Sequence, residues 1–199
     1  MTIVQRIKGI CLKPKEEWQL IAGESSSTAD LLKNYVAPLA AIGAVAGFIG
    51  MSFIGVSAFG ISVRMPLVTG LVGAVIGFVA GLVEVYVLGL IIDALAPKFG
   101  GEKNSLQALK IAVYSFTPAL VAGVLRIIPA LGVLTLLASL YGVYLLYLGL
   151  PQLMKCPPEK TVSYTLVVVA CAIGIFLVIG LVTGAIIGAG TVATVGLPR

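Results

Sequence analysis

Five long, predominantly apolar stretches constrain this chain more than any other feature: residues 35–54, 67–92, 106–125, 129–150 and 162–187. Each reaches the roughly 20 residues that a helix needs to cross a hydrocarbon layer of ~30 Å. Inside lipid every backbone amide and carbonyl must be satisfied within the structure, which continuous helices achieve and open strands do not. The alternating apolar–polar pattern of a barrel strand is absent from these runs. The expectation is an all-α polytopic membrane helix bundle with five transmembrane helices, the second and fifth long enough to tilt. Composition agrees with lipid as the solvent: 59% of the residues are hydrophobic and 11% charged, against about 45–50% and about 25% in soluble domains.

Residues 1–34 read as an amphipathic N-terminal segment on the cytoplasmic side, 35–187 as the five-span domain, and 188–199 as a short outer tail. Ile3, Val4, Ile7, Ile10 and Cys11 recur at helical spacing with Gln5, Arg6 and Lys8 between them, the pattern of a helix lying on a bilayer surface. Pro14 starts a second turn that carries Trp18, a residue suited to the headgroup region. The opening is too short and too polar for a signal peptide, and no small-residue cleavage site follows it. Placing the N-terminus inside leaves only Arg64, Arg126 and Arg199 of the 13 basic residues on the outer side. By the positive-inside rule the N-terminus is cytoplasmic and the C-terminus outside.

The net charge of +5 is thus a topology signal. No basic patch with interleaved aromatics points to nucleic acid. Cys11, Cys156 and Cys171 form no CxxC and the chain has no histidine, so neither a disulfide framework nor a metal site is expected. Without histidine there is no Ser-His or Cys-His pair, and no phosphate-binding glycine loop follows a strand. The expectation is a non-enzyme without cofactor.

Gly73, Gly77 and Gly81 recur at every fourth residue of the second run, and Gly180, Gly184 and Gly188 of the fifth, with Gly43 and Gly47 in the first. Small residues at this spacing let helices approach closely, and these glycines are expected to be internal packing faces. Two acids interrupt the second run. Asp93, near its inner end, is expected to form a boundary ion pair with Lys110, or with Lys98. Glu84 lies ~13 Å further in at 1.5 Å per residue. Tyr114 and Tyr141 fall at similar depths in the third and fourth runs, so Glu84, Tyr114, Ser115 and Tyr141 could form one polar layer. Glu84 could tie helices together through a protonated carboxyl, or lie on an ion or proton pathway. Pro118 removes the amide that would bond the Tyr114 carbonyl, so the third span should kink there, with Ser115 and Thr117 placed to satisfy freed backbone groups.

The segments PKEEW (14–18), LAPKFGG (95–101), AVYSFTP (112–118), RIIPALG (126–132) and YGVYLLYLGLPQLM (141–154) resemble the Yip family over nearly the whole chain. The resemblance implies a five-span Yip domain with a cytoplasmic N-terminus, and it marks Pro97, Lys98, Phe99, Gly100 and Gly101 as a family loop. Eukaryotic members of the family associate with prenylated Rab GTPases and carry a long cytosolic N-terminal region. This chain looks like the short prokaryotic branch, located in the inner membrane, which puts small-GTPase binding in doubt.

Two functional classes follow. One is a membrane scaffold acting through helix packing and through contacts with the lipid bilayer, a membrane-protein partner or a second copy. The other is a small channel or transporter for an ion, proton-coupled solute or lipid, using the layer at Glu84.

Overall fold

The computed structural model describes residues 2–58 and 61–195. Two short helices come first. α1 (Ile3–Leu12) is started by a capping box, in which Thr2 Oγ1 accepts from the Gln5 amide and the Thr2 amide donates to Gln5 Oε1. Both donors would otherwise be orphaned. α2 (Pro14–Gly23) begins on Pro14, with Glu16 and Glu17 in its first turn, where the missing amide is harmless and acids face the positive end of the helix.

Five helices long and apolar enough to cross a membrane follow among the described residues: Thr28–Ile54, Leu67–Phe99, Ser105–Ile127, Pro129–Met154 and Pro158–Ile186. The first contains α3 (Thr28–Asp30) and α4 (Ala37–Ile49), joined and followed by π turns at Leu31–Val36 and Gly50–Ile54. The second is α5 (Leu67–Leu95), which tightens into a 3₁₀ turn at Ala96–Phe99. The third is α6 (Ser105–Ser115) and α7 (Thr117–Ala122); the fourth is α8 (Gly132–Met154) and the fifth α9 (Pro158–Val195). The expected count of five holds. The last four residues of the expected tail 188–199, with Arg199, lie outside the described residues, as do the side-chain surroundings of Gly188.

One element went unforeseen. Between the first two spans, β1 (Val56–Ala58) pairs antiparallel with β2 (Ile61–Val63), Val56 opposite Val63. The stretch GVSAFGISV has the glycine-punctuated, β-branched character of a short hairpin.

The third span sits at the centre, with 61% of its apolar window buried against 11–22% for the other four. It packs on α5 and α8, while α5 also touches α4 and α9. The break at Pro118 is as expected: α6 stops at Ser115 and α7 restarts at Thr117. The hydroxyls do not repair it as anticipated. Thr117 instead shares a 3.0 Å hydrogen bond with the Tyr35 hydroxyl, and Ser115 Oγ has no partner.

The glycines pack differently from expectation. Among the described residues, a Cβ at Gly77, Gly81, Gly180 or Gly184 would meet nothing within 4 Å, because α5 and α9 turn these positions away from the other helices. The close approaches involve one expected glycine, Gly43, and several glycines outside the stripes. A Cβ on Gly123 would come 3.1 Å from the Gly43 Cα, one on Gly89 would meet the Leu109 Cα at 3.1 Å, and one on Gly142 the Ser115 carbonyl oxygen at 2.6 Å. Backbone meets backbone at these crossings, which only glycine permits.

Candidate functional site

The N-terminal hairpin packs onto the helix bundle. Ile10, Trp18 and Ile21 are fully enclosed, and Trp18, expected at the headgroups, lies against Gly149 of α8 and edge-on to Tyr114 of α6 at 6.3 Å. Ile10, Trp18 and Ile21 thereby join the hydrophobic core of the bundle, with Ile3, Ile7, Cys11 and Ala22 packed against it. Val4, Leu12 and Leu20 stay exposed on the opposite face.

A charged seam runs through this junction. Arg6 bridges the carboxylates of Glu17 and Glu24, and its guanidinium sits 5.5 Å above the Tyr114 ring. Arg6 and Glu17 are each only 5% exposed. Burial opposes the Arg6 charge, but hydrogen bonding to Glu24 and the fields of Tyr114, Glu24 and Glu17 outweigh it and hold the guanidinium above its ordinary value. The Cys11 thiol nearby is pushed up by burial.

The end of α2 explains the next layer. Its last turn contains no basic residue, so its final carbonyls need donors from elsewhere. α6 supplies them. Lys110 Nζ donates to the carbonyls of Ile21 at 2.9 Å and Glu24 at 2.6 Å, and Gln107 Nε2 donates to Ala22 at 3.1 Å. Gln107 and Lys110 are three residues apart on one face of α6, as Asn104 caps that helix through the Gln107 amide. A cation at a helix C-terminus also complements its dipole. On the other side the Tyr141 hydroxyl donates to the Cys11 carbonyl at 2.8 Å.

These contacts correct two expectations. The Asp93–Lys110 pair does not form, because Lys110 spends its ammonium on the carbonyls at the end of α2. Asp93 is 9% exposed, and its Oδ1 lacks a hydrogen-bond partner among the described residues. The single layer at Glu84 does not form either. Tyr114 packs between Arg6, Trp18 and Tyr35, whose ring is 5.0 Å away, and Tyr141 is committed to Cys11. Glu84 is half-buried on α5, where the charge that reaches it is Arg126.

The loop Pro97–Gly101 acts as a second junction. Phe99 stacks on Tyr164 of α9 at 4.8 Å and 7°, while the Tyr164 hydroxyl donates to the Ile92 carbonyl. Gly100 takes a left-handed φ of 77°, a conformation that favours glycine. A Cβ on Gly101 would lie 2.8 Å from the Met154 carbonyl oxygen, the atom that accepts from the Glu102 amide. Glu102 also pairs with Lys155 at 2.6 Å. The loop therefore stitches the α5–α6 end to the α8–α9 turn. Among the described residues no three His, Cys, Asp or Glu cluster as metal ligands.

Residues 8–191 match the family model of the Yip1 domain. "Inner membrane protein YohC" of Escherichia coli K12 is 26% identical over 166 residues, covering 81% of this chain and 85% of that protein. The protein of the same name from Escherichia coli O6:H1 matches equally. No solved structure matches the chain.

Proposed function

We propose, from the premise that this chain belongs to the Yip1 domain family, that it is a non-enzymatic organising protein of the inner membrane. On this reading it offers partners a rigid surface built from the docked N-terminal hairpin and the bundle. The carrying observation is how the buried polar groups are used: Arg6 and Glu17 tie α1 to α2, and Lys110, Gln107 and Tyr141 fasten the pair to the bundle. Groups committed to such bonds position a surface rather than shuttle protons. The exposed apolar side chains of Leu12 and Leu20 are then where lipid, a membrane protein or a second copy would be met. Location in the inner membrane is carried over from the YohC relatives, and a cytoplasmic N-terminus from the basic residues.

Transport through Glu84 would need Tyr114 and Tyr141 turned toward it, and both are engaged elsewhere. The test combines three measurements. Vesicles reconstituted with the protein should pass protons and potassium no faster than empty ones. A photo-crosslinker at Leu20 should give a discrete protein adduct in growing cells. A cysteine placed at position 64 should react with an impermeant reagent from outside, and one at 101 should not. Robust flux that Glu84→Gln abolishes in a folded protein would overturn the organising role in favour of transport. Adducts to lipid alone would remove the protein partner, and labelling at 101 would reverse the orientation.

A further inference from the structure

A cleft of about 270 Å³ opens where α2 crosses the seam between α8 and α9, away from the charged junction described above. Lys15 and Gln19 line it from α2, Tyr147 and Gln152 from α8, and Pro158 from the first turn of α9, with Trp18 forming part of its wall. The volume is at the small end of ligand sites, which usually begin near ~300 Å³, and suits a headgroup rather than a whole lipid.

Three observations indicate what would fill it. The first is charge. Lys15 is exposed and joins no ion pair among the described residues, whereas its neighbour Lys13 is paired with Glu16 at 3.6 Å. The second is an orphaned donor. The Trp18 indole N–H is fully buried and has no hydrogen-bond acceptor among the described residues, an arrangement that is unfavourable until something supplies one. The third is the exit. From Tyr147 the exposed side chains of Tyr144 and Leu140 continue along α8, and from Pro158 those of Val162 and Leu166 continue along α9. Both rows keep three- to four-residue spacing and therefore stay on one face.

We propose that this cleft binds the phosphodiester headgroup of a glycerophospholipid, with its acyl chains lying along the exposed α8–α9 face. Lys15 meets the phosphate charge, and the amides of Gln19 and Gln152 and the Tyr147 hydroxyl offer further donors. A free phosphate would use the same donors but leave the apolar rows without an occupant.

Trp18 is the chain's one tryptophan, so its emission reports on this cleft directly. The full chain, purified in a neutral detergent, is titrated with phosphatidylglycerol, with a diacylglycerol of the same chains, and with inorganic phosphate. The expected result is a saturable emission change with phosphatidylglycerol, and a midpoint shifted roughly tenfold or more to weaker binding in Lys15→Gln, the worth of one charge-assisted hydrogen bond. Lys15 is exposed, so the variant should melt with the wild type. Diacylglycerol saturating at the same concentration would mean acyl packing without headgroup recognition. Inorganic phosphate reproducing the change at the same midpoint would mean a free-anion site. Either result, an unshifted midpoint in Lys15→Gln, or no saturable change with phosphatidylglycerol, overturns the proposal.

Discussion

Gly149→Ala tests the docking of the hairpin with a single methyl group. An ideal Cβ at position 149 would lie 2.9 Å from Cζ2 of Trp18 and 3.1 Å from its Cε2 and Cη2. Carbon atoms at rest prefer about 3.5–4.0 Å, so the indole must retreat by roughly half an ångström or more. Trp18 is fully buried and edge-on to Tyr114, so a retreat disturbs its packing or closes part of the adjoining cleft. Overpacking of this kind costs about 1–3 kcal/mol, offset by the ~0.5–1 kcal/mol that alanine gains over glycine inside a helix. The net expectation is a loss of about 0–2.5 kcal/mol, centred near 1, read as a melting temperature a few degrees lower in detergent. Trp18 emission should shift to the red as the ring is pushed from its seat. The control is Gly180→Ala, where a Cβ meets nothing within 4 Å and no loss is expected. Adding Trp18→Phe to Gly149→Ala should restore part of the loss that each change causes alone, since the smaller ring leaves room for the methyl. If Gly149→Ala melts with the wild type and its emission is unmoved, or if the two changes simply add, Trp18 does not sit on Gly149 and the docked hairpin is wrong.

Gly89→Leu should destabilise the protein far more than Gly77→Leu in the same melting assay, because only Gly89 faces a neighbouring backbone, that of Leu109; equal losses would refute the helix crossing. Arg6→Met leaves the Glu17 carboxylate buried without its cation and should cost about 3–5 kcal/mol, while Arg6→Met with Glu17→Met should recover much of that. The raised Arg6 value contributes stability that is fully present below the strongly basic range of a free guanidinium and lost only as pH climbs beyond it, so melting should show no Arg6-dependent step near neutrality. Burial pushes the Cys11 thiol above its ordinary 9.0, so iodoacetamide should modify it slowly at pH 8 and faster only above pH 9; rapid reaction at pH 8 would mean that α1 is undocked.

The amino-acid sequence by itself determined the membrane class, the five spans and the break at Pro118. Each is local: a run of apolar residues meets a hydrocarbon layer of given thickness, and a missing amide breaks its own helix. Which side of each helix finds a neighbour was not local. Periodicity places a side chain on a face relative to its own axis, but the rotation of that axis comes from how all the helices pack together. That is why Lys110, read as a partner for Asp93, caps carbonyls 86 and 89 positions away in the sequence. It is also why the regular stripes at Gly77 and Gly180 stay open while Gly89, Gly142 and Gly149, which follow no stripe, hold the crossings. The amphipathic N-terminus announced an apolar face, and lipid was one way to cover it. The tertiary structure covered it with Gly149, Tyr114 and the donors of α6, because only the assembled bundle presents a groove shaped for Trp18 and the carbonyl acceptors' missing partners in one place.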